Sequence, residues 1–560
     1  MVEVKNQVRQ LDAVVVGAGF AGLYTLYRLR KLGMKVRVYE AGSDIGGTWF
    51  WNRYPQARCD VESLEYSYSF SDELQQEWPW PERYAGQPEI LRYINHVAER
   101  FALRPDIQLD TRVLSAVFDD GTNRWVVKTS EGEVISARYC IMATGCLSAA
   151  KVPDIKGLEN FRGNWYHTGL WPAGGVDFSG KRVGVIGTGS SGIQLIPDVA
   201  KQARHLFVFQ RTANFCVPAN NFKTDPGTEQ QHKAKYRDKR REALQTPFGM
   251  AGHPPPTHCA MEVSAQERQR MYQAKWERGG AISFLYSYKD LLVNKEANET
   301  ASEFVRQKIR ETVNDPKVTE LLLPNDHYIG TKRLCLGNNY YETYNRENVT
   351  LVDARSDPLA EITAGGIRTE NAHHEVDAIV FATGFDAMTG ALFDIDIRGS
   401  RGVPLTEQWA AGPRTYLGLM TAGFPNLFLI TGPGSPSVKT NMVCAIEQHV
   451  DWIADCLQTL RTENVTRMEA RQDAQDQWVE HVNQVADSTL YPLANSWYVG
   501  ANIPGKPRVF TPYVAGLDVY RRKCDEVAAA GYDGFVLTRE QKPQSARQDT
   551  AYMDSLVGSD

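Results

Sequence analysis

The chain has 560 residues, 42% of them hydrophobic and 23% charged, which is room for three to four domains of about 150 residues each and apolar enough to bury several cores. Its 62 Lys and Arg stand against 67 Asp and Glu, a formal charge of −5, and without a surplus of positive charge to displace counterions the balance argues against nucleic-acid binding. The nine cysteines are odd in number and include no C-x-x-C pair, which argues against a disulfide framework, a zinc ribbon or a thioredoxin-like redox pair, and no metal site is expected.

Met1 to Lys5 has no apolar signal core, and no run of about 18 apolar residues occurs; a cytoplasmic protein with no membrane partner is expected. Leu11 to Val16 is a short β-branched run that reads as a strand. Gly17-Ala18-Gly19-Phe20-Ala21-Gly22 follows at once, then a helical stretch from Leu23 to Leu32, then a second strand from Lys35 to Tyr39 with Glu40 at its tip. This is a βαβ unit carrying G-x-G-x-x-G. In such a unit Gly17 makes the tight turn, Gly19 lets backbone approach a pyrophosphate, and Gly22 lets helix and strand pack closely. The helix N-terminus offers free N–H groups to the phosphates. Glu40 can accept hydrogen bonds from ribose hydroxyls and disfavours a 2′-phosphate, so FAD or NAD is expected here.

Tyr139 to Met142 reads as a strand running into Ala143-Thr144-Gly145. A second βαβ unit begins at Arg182 to Ile186, with Gly187-Thr188-Gly189-Ser190-Ser191-Gly192 as its turn, Ile193 to Ala200 as its helix and His205 to Phe209 as its second strand. No acid stands at this second tip; Gln210, Arg211 and Thr212 do. A guanidinium suits a 2′-phosphate, so NADPH is expected at this turn, against the alternative of a solvated surface arginine. From Pro218 to about Leu323 charged, helix-favouring stretches dominate: Lys233 to Gln245, Ala265 to Gly279 and Glu296 to Val313. A further strand, Ala378 to Phe381, runs into Ala382-Thr383-Gly384.

The expected fold is α/β: two Rossmann-like dinucleotide-binding domains, for FAD and NADP, with a helical insertion. The boundaries read from the chain are 1–148 and 385–540 for the FAD domain, 149–217 and 329–384 for the NADP domain, 218–328 for the insertion and 541–560 for a polar tail.

Three motifs narrow the chemistry. Phe161-Arg162-Gly163 continues through His167 to Trp171-Pro172, and resembles the F-x-G-x-x-x-H-x-x-x-W-[PD] fingerprint of type I Baeyer–Villiger monooxygenases. Gly46-Gly47-Thr48-Trp49, continuing to Tyr54-Pro55-Gln56 and Asp60, is similar to a second element of that family, with Gln56 where Gly or Met is usual. Gly330-Thr331-Lys332-Arg333, Ala382 to Asp386 and Trp497 extend the resemblance over most of the chain, most closely to members acting on phenylacetone, cyclohexanone and steroids. The resemblance implies an enzyme in which NADPH reduces FAD and O2 adds to the flavin. The resulting peroxide anion attacks a small ketone, and a tetrahedral adduct rearranges to an ester or lactone; monomers are common in the family.

Residue by residue, the resemblance makes Arg333 the active-site cation that stabilises the peroxide anion, and Asp60 the acid that positions it. From the residues alone Asp60 reads as a helix N-cap and Arg333 as a surface ion pair. Gly47, Thr48 and Trp49 fall to the flavin side. Gly187, Thr188, Gly189, Ser190, Gly192, Arg211, Thr212 and Lys332 fall to NADP, with Lys332 beside Arg211 on the 2′-phosphate. Trp497 matches a tryptophan that contacts NADP and substrate. His167 is expected to be structural rather than a general base. In Gly432 to Met442 the resemblance makes Ser437, Val438 and Lys439 the substrate loop, with Ser437 and Val438 lining the pocket; Lys439 is unexpected in an apolar loop and is expected to point to solvent, against the alternative that it favours a polar or acidic ketone. Two alternatives stay open: an N- or S-oxygenating flavin monooxygenase, and a nucleotide-binding redox sensor without turnover. Ester formation separates them.

Overall fold

The computed structural model describes residues 8–539; the polar tail read at 541–560 lies outside them. Arg9–Val16 stands at the centre of an eight-stranded sheet, where its β-branched residues are buried on both faces. It pairs in parallel with Val36–Tyr39 on one side and Val134–Met142 on the other. Ile107–Gln108 extends the first side, and Arg124–Thr129, Val113–Asp119 and Asp396–Arg398 extend the second. Leu427–Leu429 also pairs with Val134–Met142, in parallel. The second sheet has five strands, all parallel, in the order Val349–Asp353, His205–Gln210, Arg182–Ile186, Ala378–Phe381, Asn164–His167. The chain thus leaves the first sheet after Met142, builds the second, and returns to the first at Asp396.

Both βαβ units form. Phe20–Lys31 and Ser190–Gln202 are the two turn helices, each starting a few residues earlier than the apolar pattern suggests. Cys216–Pro218 pairs in parallel with Cys335–Gly337, and the chain between is helical, with Asp225, Ser264, Asn294 and Asp315 accepting backbone N–H bonds at four helix starts. The stretch Lys233 to Gln245 is not one helix. It is the end of Pro226–Lys233 and then Tyr236–Ala243. Both pieces are tied to the first domain: Lys233 Nζ donates to the Gln76 and Trp78 carbonyls, and Arg240 to the Glu65 carbonyl and Ser67 Oγ. Those anchors override the uniform helix propensity of the run. Two antiparallel pieces had no signal in the sequence reading: a three-stranded sheet spanning 359–375, and the pair Val465–Ala470 with Phe535–Arg539. Among the described residues no helix is long and apolar enough to cross a membrane.

Candidate active site

The two nucleotide turns are built alike. Gly17 has φ +103° and Gly187 φ +109°, a region side chains avoid. A Cβ on Gly17 would lie 2.6 Å from the Ala143 carbonyl oxygen, and one on Gly187 2.5 Å from that of Ala382. Each turn is therefore pressed onto the small tripeptide that ends a neighbouring strand. A Cβ on Gly22 or Gly192 would meet the carbonyl oxygen of Gly17 or Gly187 at 1.8 and 2.3 Å, so helix and turn touch with nothing between them. Gly19 and Gly189 cap the two helices with no side-chain hydrogen bond, leaving the first N–H groups free for an anion.

Around the first turn, the Glu40 carboxylate is buried and held by backbone, accepting from Ala18 N at 2.7 Å and Gly42 N at 2.8 Å. Its remaining lone pairs suit ribose hydroxyls. Gly47, at φ +53°, packs on Gly19; a Cβ there would come within 3.0 Å of the Gly19 Cα. This brings Thr48 and Trp49 over the turn, with Trp49 buried and its indole donating to the Tyr66 hydroxyl at 3.2 Å. Gln56 is exposed at φ +64°, the left-handed region where glycine costs nothing, so the turn keeps its shape with a non-glycine residue in it.

At the second tip Arg211 is exposed, and Thr188 Oγ1 donates to the Thr212 carbonyl at 3.1 Å. Lys332 and Arg355 reach the Asp326 carboxylate at 3.7 and 3.2 Å. Burial lowers the Lys332 pKa, with Asp326 opposing and the Arg211 and Arg355 charges adding to the fall. Two cations thus share one carboxylate, with the Arg211 charge near enough to act on Lys332, an arrangement ready for a phosphate. Arg355 and Asp326 were missed in the sequence. The available signal was that Arg355 lies two residues past Val349–Asp353, the strand beside His205–Gln210.

Arg333 and Asp60, 273 residues apart, form a forked pair: Arg333 Nε donates to Asp60 Oδ2 and Nη2 to Oδ1, both at 2.7 Å. The third nitrogen, Nη1, donates to the Val438 carbonyl at 2.8 Å. Burial disfavours both charges, but each offsets it for the other: Asp60 is held below the usual carboxylate range, and Arg333 is held protonated. The residues after Asp60 form turns rather than a helix, so Asp60 is no N-cap.

The loop that supplies Val438 also carries Ser437, at φ +42° with its hydroxyl 3.1 Å from Cys146 Sγ, and Lys439. The expectation that Lys439 points to solvent is overturned. Its Nζ lies 3.9 Å from the ring centre of Tyr491 and 4.4 Å from that of Tyr498, so the side chain folds back over two aromatic faces rather than extending outward. Val438, Tyr491 and Tyr498 belong to one apolar cluster, with Trp497 half-buried against it and its ring tilted on that of Tyr498, centres 4.3 Å apart.

The fingerprint stretch serves the join between the sheets. Asn164–His167 is the edge strand of the second sheet, and Trp171, buried, donates its backbone N–H to the Trp51 carbonyl of the first domain at 3.4 Å. A Cβ on Gly163 would lie 2.3 Å from the Asp377 carbonyl oxygen and 2.6 Å from the Phe161 ring. His167 is buried, accepts from Gly169 N through Nδ1 at 3.0 Å, and burial lowers its pKa. Both the accepting Nδ1 and the burial favour the neutral ring.

With this geometry in place, the comparisons decide the family. A family profile described as pyridine nucleotide-disulphide oxidoreductase matches residues 14–244. A Baeyer–Villiger monooxygenase of Pseudooceanicola batsensis is 45% identical over 533 residues, 94% of this chain and 96% of the relative. The chain belongs to the Baeyer–Villiger monooxygenases. Among other relatives of this monooxygenase, the phenazine N-monooxygenase PhzNO1 of Lysobacter antibioticus is 42% identical over 95% of this chain and 98% of its own. An oxidized steroid monooxygenase bound to NADP superposes with a TM-score of 0.90 at 52% identity, covering 95% of this chain and all of that one.

The monooxygenase is an FAD- and NADP-dependent oxidoreductase. Its residues fit both groups: two uncapped helix N-termini, two glycine turns a side chain would fill, a backbone-held carboxylate at one tip and a cation cluster at the other. All nine cysteines are free, so the profile match reflects the shared two-nucleotide fold and not a redox-active disulfide.

Proposed function

We propose that this monooxygenase inserts one atom of O2 beside the carbonyl of a small ketone to give an ester or lactone, with NADPH as reductant. When bound, FAD reduced by NADPH supplies the oxygen-transfer chemistry. FAD takes the first turn, with Glu40 on its ribose and Gly47, Thr48 and Trp49 closing over Gly19. NADPH takes the second, with Arg211, Thr212 and Lys332 toward the 2′-phosphate. These two nucleotide domains are read as 1–148 with 385–540 and 149–217 with 329–384.

The observation that carries the reading is the Arg333–Asp60 fork beside the Val438 loop. Adding an oxygen nucleophile to a ketone concentrates negative charge first on the attacking oxygen and then on the carbonyl oxygen. A guanidinium that cannot lose its proton stabilises both, and one already clamped by three hydrogen bonds needs little reorganisation. Asp60 acts through Arg333, as its positioning residue. The apolar cluster around Val438, Tyr491 and Trp497 excludes water and seats the ketone's carbon frame.

A second reading rests on the 42% identity to a phenazine N-monooxygenase: the same framework oxygenating an aromatic nitrogen. One experiment separates the two. The FAD-loaded enzyme is given NADPH and O2 with a panel of cyclic and aryl ketones or with phenazines, and products are identified by mass spectrometry. One ester per NADPH with a ketone supports the proposal. N-oxide from phenazines with no ester from any ketone supports the second reading.

A further inference from the structure

Lys439 is the feature the reaction described above does not use. Its ammonium is turned inward between the rings of Tyr491 and Tyr498, and its neighbour Val438 receives Arg333. Arg333 and Asp60 neutralise each other through their fork. Lys439 has no such partner among the described residues; the charge that acts on it is the Arg333 cation, and burial together with that repulsion lowers its pKa well below the ordinary value. Two aromatic faces offset only part of what an unpaired charge loses on leaving water. The site therefore holds a basic amine with no counter-ion of its own beside the Arg333 fork, a group that an entering anion would hold in its protonated form.

We propose that Lys439 is a carboxylate anchor, and that the pocket takes ketones bearing a carboxylate several bonds from the carbonyl. This rests on the ketone reading above. The substrate's carboxylate pairs with Lys439 while its carbonyl faces Arg333, so the two cations address the two ends of one molecule. A single ammonium flanked by phenol rings matches one carboxylate; a phosphate, with three acceptor oxygens and up to two charges, calls for several converging donors, as at Arg211, Lys332 and Arg355. The carboxylate stays a spectator in the reaction and sets which ketone binds and which way round.

The test compares a cyclohexanone carrying a propanoate arm with its methyl ester, on the FAD-loaded enzyme with NADPH. Wild type is expected to favour the acid at least tenfold in kcat/KM. In Lys439→Met that acid-to-ester ratio falls at least tenfold, and in Lys439→Arg most of it is kept. A wild-type ratio at or below one overturns the proposal, as does a ratio unchanged in Lys439→Met. Flavin absorbance confirms that each variant is folded and loaded. Calorimetry with cyclohexanepropanoate, which has no carbonyl, reads the anchor independently of turnover: wild type binds it and Lys439→Met does not. If neither ketone is oxygenated, the ketone reading fails while the calorimetry still decides the anchor; no binding to wild type overturns it.

Discussion

Asp60→Asn removes the charge that clamps Arg333 and leaves the shape of the side chain. In the native pair two guanidinium nitrogens sit 2.7 Å from two carboxylate oxygens. Unit charges at about 4 Å in a protein-like dielectric of about 20 attract by about 4 kcal/mol. The Arg333 side chain is 33% exposed and that of Asp60 24%, so solvent screening brings this to about 2 kcal/mol. Asn offers one neutral acceptor and turns an amide N–H toward the other guanidinium nitrogen, so the fork cannot reform. Arg333 keeps Val438 as its remaining partner and swings about it. The cation is needed most where charge develops, so kcat/KM for ester formation should fall about 10- to 100-fold. Reduction of FAD by NADPH, followed anaerobically by loss of flavin absorbance, should stay within about threefold. The pH profile adds a check on sign. A carboxylate held low in the folded state contributes above its unfolded value and is lost as pH falls through the folded one, so Asp60 adds no acid limb above pH about 4. Ester formation in Asp60→Asn within about twofold of wild type would refute the reasoning, and so would an equal loss in FAD reduction.

Arg211→Ala should raise the KM for NADPH about tenfold, the weight of one exposed charge-assisted contact, and leave the KM for NADH nearly unchanged; steady-state kinetics with both nucleotides check it. Glu447, buried and accepting from Ser69 N, Ser69 Oγ and Phe70 N, has its pKa pushed up to about 7, chiefly by burial. Between about pH 4.5 and 7 the folded state then holds a proton the unfolded state has lost, so stability falls as pH rises through this window, by about 3 kcal/mol in total. Glu447→Gln cannot titrate, so its thermal midpoint should gain on wild type from pH 5 to pH 8; parallel curves would show that Glu447 is charged throughout.

What was legible in the sequence was whatever depends on neighbours along the chain. Gly17, Gly22, Gly187 and Gly192 announce themselves because each turn permits no Cβ, and the strands around them are β-branched runs of ordinary length. Glu40 and Arg211 follow because a strand tip is a short, countable step from its turn. The rest is set by contacts remote in sequence. Nothing local pairs Asp60 with Arg333; that role came only from the family resemblance. Lys439 was turned the wrong way because Tyr491 and Tyr498, whose faces hold it, lie more than fifty residues further on. Arg355 escaped notice for the same reason, being brought to the second tip by sheet order rather than by spacing, whereas Asp326 lies only six residues before Lys332 but in a bend with no periodic signal. The break at Ala234 and Lys235 is imposed by partners in the first domain.

On the proposed mechanism Arg333 serves oxygen transfer and not flavin reduction. Arg333→Ala should be reduced by NADPH under anaerobic conditions at close to the wild-type rate. On admission of O2 and a ketone that wild type converts, it should consume NADPH and release hydrogen peroxide while ester falls at least about 100-fold. Ester yield per NADPH equal to wild type would contradict the account.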